Sequence, residues 1–471
     1  MRDSSRGAIG RTLFGRPAVA SLVMLIAAAC SGSTPTTPSS APSLAPLPSS
    51  SAAVSAQPSG AGACNPANYP TGNVNISIWT GTDTTSQEIG RAIVQEYQAA
   101  HPTVHIDNTP TGTVDAYNKL VVTLPSSLPQ PTSALNYEPL METFIGADFM
   151  EPLIPEAMCA TSQQELIDLY IPGSIDPLIR DGQLYGMPAQ RNAYSLLVNN
   201  DKFKEAGLTI PDDIPSTWDE LAALQPKLQK KDASGKTTQK GFEFRYTSGD
   251  QWFGSQFIGM VYQAGGDILD AQGKAKLNTP EALIAMQNWA KNVVDPSVTN
   301  NQGPSPYQDF ADELDVMAFG GPNALRFAER INPSLKGRVS VFPLPRAAEG
   351  SEISGMAYGF HMLLNKFASA EEKFVASHFI GFMFSDPNRW WDATGQLQPR
   401  KDWYTLPAAQ ASVGLDVFIA DLADARGLPQ TSDYLAIQTA IKNAIQRVVL
   451  EKADMKASLD QAQQEYEAAV R

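Results

Sequence analysis

"NVNISIWTGTDTTSQEIGRAIVQEYQAAHPTVHID", residues 73–107, carries the pattern that decides the fold. Residues 73–79 alternate apolar and polar side chains and are rich in β-branched types, so they read as a strand. A short loop follows. Ile89, Ala92, Ile93, Tyr97 and Ala100 then recur on one helical face. Thr85 and Glu88 have the spacing of a capping box at the start of that helix. Residues 103–107 form a second short strand. Strand, helix and strand in succession make a βαβ unit, which predicts an α/β chain with a parallel sheet.

The same signals recur downstream. Thr217 with Glu220, and Ser369 with Glu372, are capping boxes ahead of apolar-periodic runs. Thr279-Pro280-Glu281 puts a capping residue before a proline at the first helical position, where the missing N–H costs little. Residues 432–471 are almost all helix formers, and no short repeat appears.

The N-terminal region has a different character. Arg2, Arg6, Arg11 and Arg16 precede an apolar run, 17–29, that is too short to span a bilayer but fits a signal-peptide core. Ala28-Ala29-Cys30 resembles a bacterial lipobox, with Ala27 where leucine is favoured. That resemblance predicts a lipoprotein signal over 1–29 and lipid attachment at Cys30. The alternative is an ordinary cleaved signal. Residues 31–63 are nearly all Ser, Thr, Pro, Ala and Gly, and none is charged. Such a segment buries too little apolar surface to offset its ordering entropy, so 30–63 is expected to be a disordered tether.

Removing residues 1–29 takes away four arginines and one aspartate, so the formal charge of −14 becomes −17. An acidic body argues against nucleic acid or an anionic membrane surface as partner. With Cys30 lipidated, Cys64 and Cys159 remain, a pair able to form a disulfide in an oxidising compartment. The competing reading is two separate thiols.

Several stretches, in order, resemble the extracellular solute-binding proteins of ABC importers, in the branch with maltodextrin- and glycerol-3-phosphate-binding members. "DGQLYGMPAQRNAYSLLVNNDKFKEAGL" (181–208) is similar to that family's G-K-L-Y-G-V-P, strand and K-A-G-L, with Val198 in place of a tyrosine. "PSTWDEL" (215–221) matches P-x-T-W-D-E-L. "QAGGDILDAQGKAKLNTPEALIAM" (263–286), "VMAFGGPNALRF" (316–327) and "GLPQTSDYLAI" (427–437) follow in the expected order. The resemblance implies a two-lobe periplasmic-binding-protein-like α/β fold with a hinge and an inter-lobe ligand cleft. Lobe one is expected over 70–188 plus 316–358, and lobe two over 192–312 plus 360–471. It also implies a monomer that hands a solute to a membrane permease, outside the cytoplasm and tethered to the membrane by its lipid alone.

A sugar shows flat C–H faces ringed by hydroxyls, so aromatic rings and a few polar side chains are the groups to seek. Trp79 and Asp83 close strand one and its loop; Asp83 could instead cap the helix. Tyr137 and Glu138 stand at a strand end in "ALNYEPL", where a core role for the tyrosine is the competing reading. Gln190 and Arg191 follow the Gly186-Met187-Pro188 segment at the expected hinge. Trp252 and Phe253 precede "QAGGD" by a spacing that resembles the aromatic subsite of the family's maltodextrin binders, with core aromatics as the competing reading. Asn323 stands where the family carries a stacking tryptophan, which argues against a long maltodextrin. Tyr358 and Tyr434 complete the set. Trp390 and Trp391 read as packing residues.

Mono- or short oligosaccharide is the favoured solute class. A glycerol-3-phosphate or glycerophosphodiester is the alternative within the class; a secreted glycan-processing enzyme or a sensor lies outside it. The chain has four histidines, none in a recognised catalytic motif. His101 and His105 have i, i+4 spacing, but Pro102 breaks the helix between them, so no metal site is expected. No phosphate loop, dinucleotide fingerprint or nucleophile elbow stands out, and no cofactor is expected. "DILDAQGK" (267–274) reads as a hairpin turn rather than a calcium loop.

Overall fold

The computed structural model describes residues 65–126, 128–242, 244, 250–293 and 307–470, and only the backbone of 250–253 and Ala408. The signal segment, the tether, Cys30 and Cys64 lie outside these residues, and so do the side chains of Trp252 and Phe253.

The principal elements are β1 (Val74–Thr80), α1 (Thr84–Ala100), β2 (Val104–Pro110), β3 (Ser133–Tyr137), β4 (Met187–Ala193), β5 (Ser195–Asn199), α2 (Trp218–Leu228), α3 (Asp250–Gln263) and α4 (Pro280–Asn292). They continue with β6 (Met317–Gly320), α5 (Pro322–Ile331), β7 (Val339–Phe342), β8 (Met356–Asn365), α6 (Ala370–Met383) and α7 (Pro387–Thr394). The last are α8 (Leu415–Asp424), α9 (Tyr434–Glu451) and α10 (Met455–Ala469).

The opening βαβ unit forms as its pattern dictates. β1 pairs in parallel with β2, Ile76 opposite Ile106, and with β3 on its other side. The sheet is mixed rather than wholly parallel, because β8 runs antiparallel to both β3 and β4. The helix begins two residues earlier than expected. Asp83, not Thr85, is its cap: the carboxylate accepts the Ser86 N–H at 2.8 Å. The boxes at Thr217/Glu220 and Ser369/Glu372 close reciprocally, and Thr279 caps α4 ahead of Pro280. The 267–274 segment turns on Asp270, which accepts from the backbone of Gln272 and Lys274. His101 caps the end of α1 while His105 lies in β2, so the two are not on one helix.

Three buried clusters organise the body. One is built on β1, β2, α1 and α6, and takes Met187 and Ala189 from β4 and Met362 to Leu364 from β8. The largest joins Tyr194, α2, α3, α4, α9 and α10 with Met356, Tyr358 and Phe360 of β8. The third holds α5 and α8 against Leu197 and Trp391. Strand pairing and packing both run across the expected lobe boundaries. β6 and β7 both pair antiparallel with β5, which ties 317–342 to the strand at 195–199. Conversely, Val375 to Phe384 pack with β1 and α1. The chain passes between clusters along β4 and β8, which pair with each other through that crossing.

Cys159 is disulfide-bonded, and both other cysteines lie outside the described residues. Tyr69 fastens the start of the described chain: its hydroxyl meets Tyr97, which bonds His378 Nδ1 at 2.6 Å. On α8, Asp421 accepts from Ser195 Oγ at 2.6 Å and from the Leu344 N–H. Burial pushes its carboxyl up to about 6, against the pull of those two donors. Among the described residues, no helix is long and apolar enough to cross a membrane, and no cluster of His, Cys, Asp and Glu suits a metal.

Candidate functional site: a cleft between α1, α5 and α7

A cavity of about 460 Å³ opens where the loop before α1 faces α5 and the end of α7. Its walls come from two different hydrophobic clusters. Met383, Phe384 and Trp390 approach from the first and Tyr307 from the third, and Phe327 of α5 completes the wall. Carboxyl ends of strands in an open α/β sheet leave such a crevice because their following loops diverge.

Each polar lining group has a structural reason for its position. Asp83 lines the cavity and uses one carboxylate oxygen, Oδ1, to cap α1. Gln190 is the one residue of β4 that is not fully buried, and it lines the cavity; its Oε1 is buried and accepts no hydrogen bond from the protein. Asn323 lies in the first turn of α5, with Tyr358 Oη donating to its Oδ1 at 3.4 Å. Phe327 and Arg330 follow at i+4 and i+7, so all three stand on one helix face. The backbone of Pro322 and Asn323 comes close to Gly395, whose φ of +68° and lack of a Cβ permit the approach. Gln396, next in sequence, donates from Nε2 to Ser86 Oγ at 3.1 Å across the cavity. Trp390 lies over Phe384 with ring centroids 5.3 Å apart and bonds the Met383 carbonyl, so it both packs and lines.

Of the residues expected at the site, Asp83, Gln190 and Asn323 meet at this cavity. Trp79 does not line it. It packs on the first cluster with Lys119 Nζ 5.7 Å from its ring centre. Tyr137 and Tyr434 are brought together elsewhere: Ser255 Oγ lies 3.1 Å from one hydroxyl and 2.8 Å from the other, deep in the largest cluster. Tyr358 is buried behind Asn323 rather than exposed to the cavity.

Glu138 and Arg191 also stand behind the cavity, as part of a fully buried charged hub. Arg191 Nη1 is 3.1 Å from Glu138 Oε2, and His361 Nε2 is 3.0 Å from the same oxygen. Burial pushes the Glu138 carboxyl up, but Arg191 and His361 outweigh it and hold the group below the usual carboxylate range. Burial lowers the His361 imidazole, and Arg191 adds to the effect against the pull of Glu138. A carboxylate this deep must be paired, so the hub joins β3, β4 and β8 at their crossing instead of facing solute.

Sequence reasoning missed Phe327, Arg330, Tyr307 and the lining role of Trp390. The i, i+4, i+7 spacing from Asn323 was the signal that could have found the first two.

A cleft lined from several buried clusters, beside paired crossing strands, is the arrangement of a two-lobe binding protein. The chain belongs to the bacterial extracellular solute-binding proteins, whose family model matches residues 81–390; within that class it is the solute-binding protein of an ABC transporter. A Brucella abortus (strain 2308) chain named only as a binding protein is 26% identical over 322 residues, 67% of this chain and 75% of that one. The arabinooligosaccharide-binding protein of Bacillus subtilis (strain 168) is 23% identical over 46% of this chain and 48% of its own. Among solved structures, maltose-bound MalE3 of Thermotoga maritima superposes with a TM-score of 0.70 at 21% identity, covering 84% of this chain and 99% of that one. UgpB of Mycobacterium tuberculosis, solved with glycerophosphocholine, gives 0.69 at 17% identity, covering 85% and 99%.

Proposed function

We propose that this chain captures a mono- or short oligosaccharide in the α1–α5–α7 cleft and passes it to a membrane permease. The observation that carries this reading is the cavity's composition. Aromatic walls from Phe327, Tyr307 and Trp390 face carboxylate and amide groups of Asp83, Gln190 and Asn323. Rings cover the C–H faces of a sugar, and the unused acceptors on Asp83 and Gln190 take its hydroxyl protons. A volume of about 460 Å³ suits one or a few sugar rings rather than a long chain. The arabinooligosaccharide, maltose and other sugar ligands of similar proteins support the class.

The N-terminal sequence completes the proposal. Cys30 anchors the chain by lipid, 30–63 is the tether, and the body works as a monomer outside the cytoplasm. No enzymatic step is assigned to it.

A thermal-shift screen of the full chain against mono- and oligosaccharides, glycerophosphates, polyamines and short peptides tests the reading. A sugar at about 100 times its Kd should add roughly 2.7 kcal/mol of stability. A shift with peptides or polyamines alone would reject it. Normal uptake of the bound sugar after deletion of the gene would speak for sensing instead of import.

A further inference from the structure

Arg330 is the one cation among the described residues lining the cavity, and the sugar-capture reading leaves it unexplained. It is half-buried at the last turn of α5. Its guanidinium lies 5.7 Å from the centre of the Phe327 ring, and Nη1 donates to the Thr85 hydroxyl in the first turn of α1. No carboxylate among the described residues lies within ion-pair distance of it. The other arginine of the same helix contrasts with it: Arg326, one turn earlier, pairs with Glu329. Asp83, the cavity's other charged group, is occupied in capping α1 and is solvent-exposed, so its charge is the better screened of the two.

A guanidinium has five N–H donors in a planar fork. Here one is used by a hydroxyl, and the plane is steadied by the phenyl ring. A cation partly withdrawn from water without a counterion is costly, and a ligand oxyanion would supply what the protein does not. Meanwhile Gln190 Oε1, buried without a donor, asks for a hydroxyl. One ligand satisfying both carries hydroxyls and an oxyanion.

We propose that the solute is an acidic sugar whose oxyanion, a carboxylate or a phosphate, is received by Arg330. This rests on the sugar-capture reading and narrows it. The test is calorimetric titration of the full chain with matched sets: glucose, glucuronic acid and glucose 6-phosphate; galactose, galacturonic acid and galactose 6-phosphate; digalacturonic acid; and neutral maltose and arabinobiose.

The expected result is that at least one acidic member binds ten-fold or more tighter than its neutral partner. That preference should shrink as salt is raised, vanish in Arg330→Gln and persist in part in Arg330→Lys. A carboxylate preference and a phosphate preference each support the proposal and name the source of the oxyanion. If a neutral sugar binds as tightly as its acid, the inference fails while sugar capture stands. If the acid preference survives Arg330→Gln, the assignment to this residue fails. If no sugar, neutral or acidic, binds, both readings fall. Circular dichroism of the two variants separates lost recognition from lost folding. Should Arg330→Gln unfold, Arg330→Lys and the salt series decide the matter by the same criteria.

Discussion

Phe327 and Asp421 show how differently two single side chains act in this molecule. Phe327 is half-buried at the cavity wall and supports no core cluster of its own. Phe327→Ala should therefore leave the fold standing and weaken sugar binding by about 0.5–1.5 kcal/mol. Titration calorimetry on the variant checks this, and an unchanged Kd would mean the ring does not stack on solute. Asp421 never meets solute, yet it sets a pH dependence. Its folded value of about 6 lies above its unfolded value of 3.8. Below both values the carboxyl is protonated in either state and costs nothing. As pH rises from about 4 to about 6, the unfolded chain loses its proton first, so stability falls, by at most about 3 kcal/mol. Above about 6 the loss is complete and flat. Denaturant melts of wild type and Asp421→Asn between pH 4 and 7 should differ by that slope, and parallel curves would refute it.

Among the elements, α5 and α7 decide the shape of the cleft through one close approach. At Gly395, a Cβ would stand 2.5 Å from the Pro322 carbonyl oxygen, and φ is +68°. Gly395→Ala should cost about 1–3 kcal/mol. It should also weaken solute binding, because the displaced neighbour is the turn that carries Asn323. A thermal melt alongside a binding titration reads both, and a loss of stability with intact affinity would show that α5 tolerates the shift.

This is also the scale at which sequence stops being informative. The periodicities of β1 and α1 and the capping boxes of α2 and α6 were legible, since each depends on near neighbours in the chain. Asp83, Gln190 and Asn323, singled out by resemblance to family segments, come together at the cavity, whereas Tyr137, Tyr358 and Tyr434 do not line it. Every residue of β8 is buried, so the two-residue alternation that separates an inward face from an outward one is absent there. An aromatic inside such a strand, Tyr358 here, reads alike whether it faces solute or core. Trp390 read as packing because it does pack, and its second surface shows only when α5 is set opposite it.

In the molecule as a whole, the lobes are not independent beads on a string. β8 gives Met356, Tyr358 and Phe360 to one interior and Met362 to Leu364 to another, while Met187 and Ala189 of β4 join the second and Tyr194, just past β4, joins the first. Neither half can melt without stripping a wall from its neighbour. The heat-capacity trace of the ligand-free chain should therefore show one peak, with calorimetric and van't Hoff enthalpies in agreement. Two resolved peaks would show that the halves fail separately. A protein built this way loses its whole binding surface at one temperature, with no half-molten population left to hold solute weakly or to offer a partly opened chain to proteases.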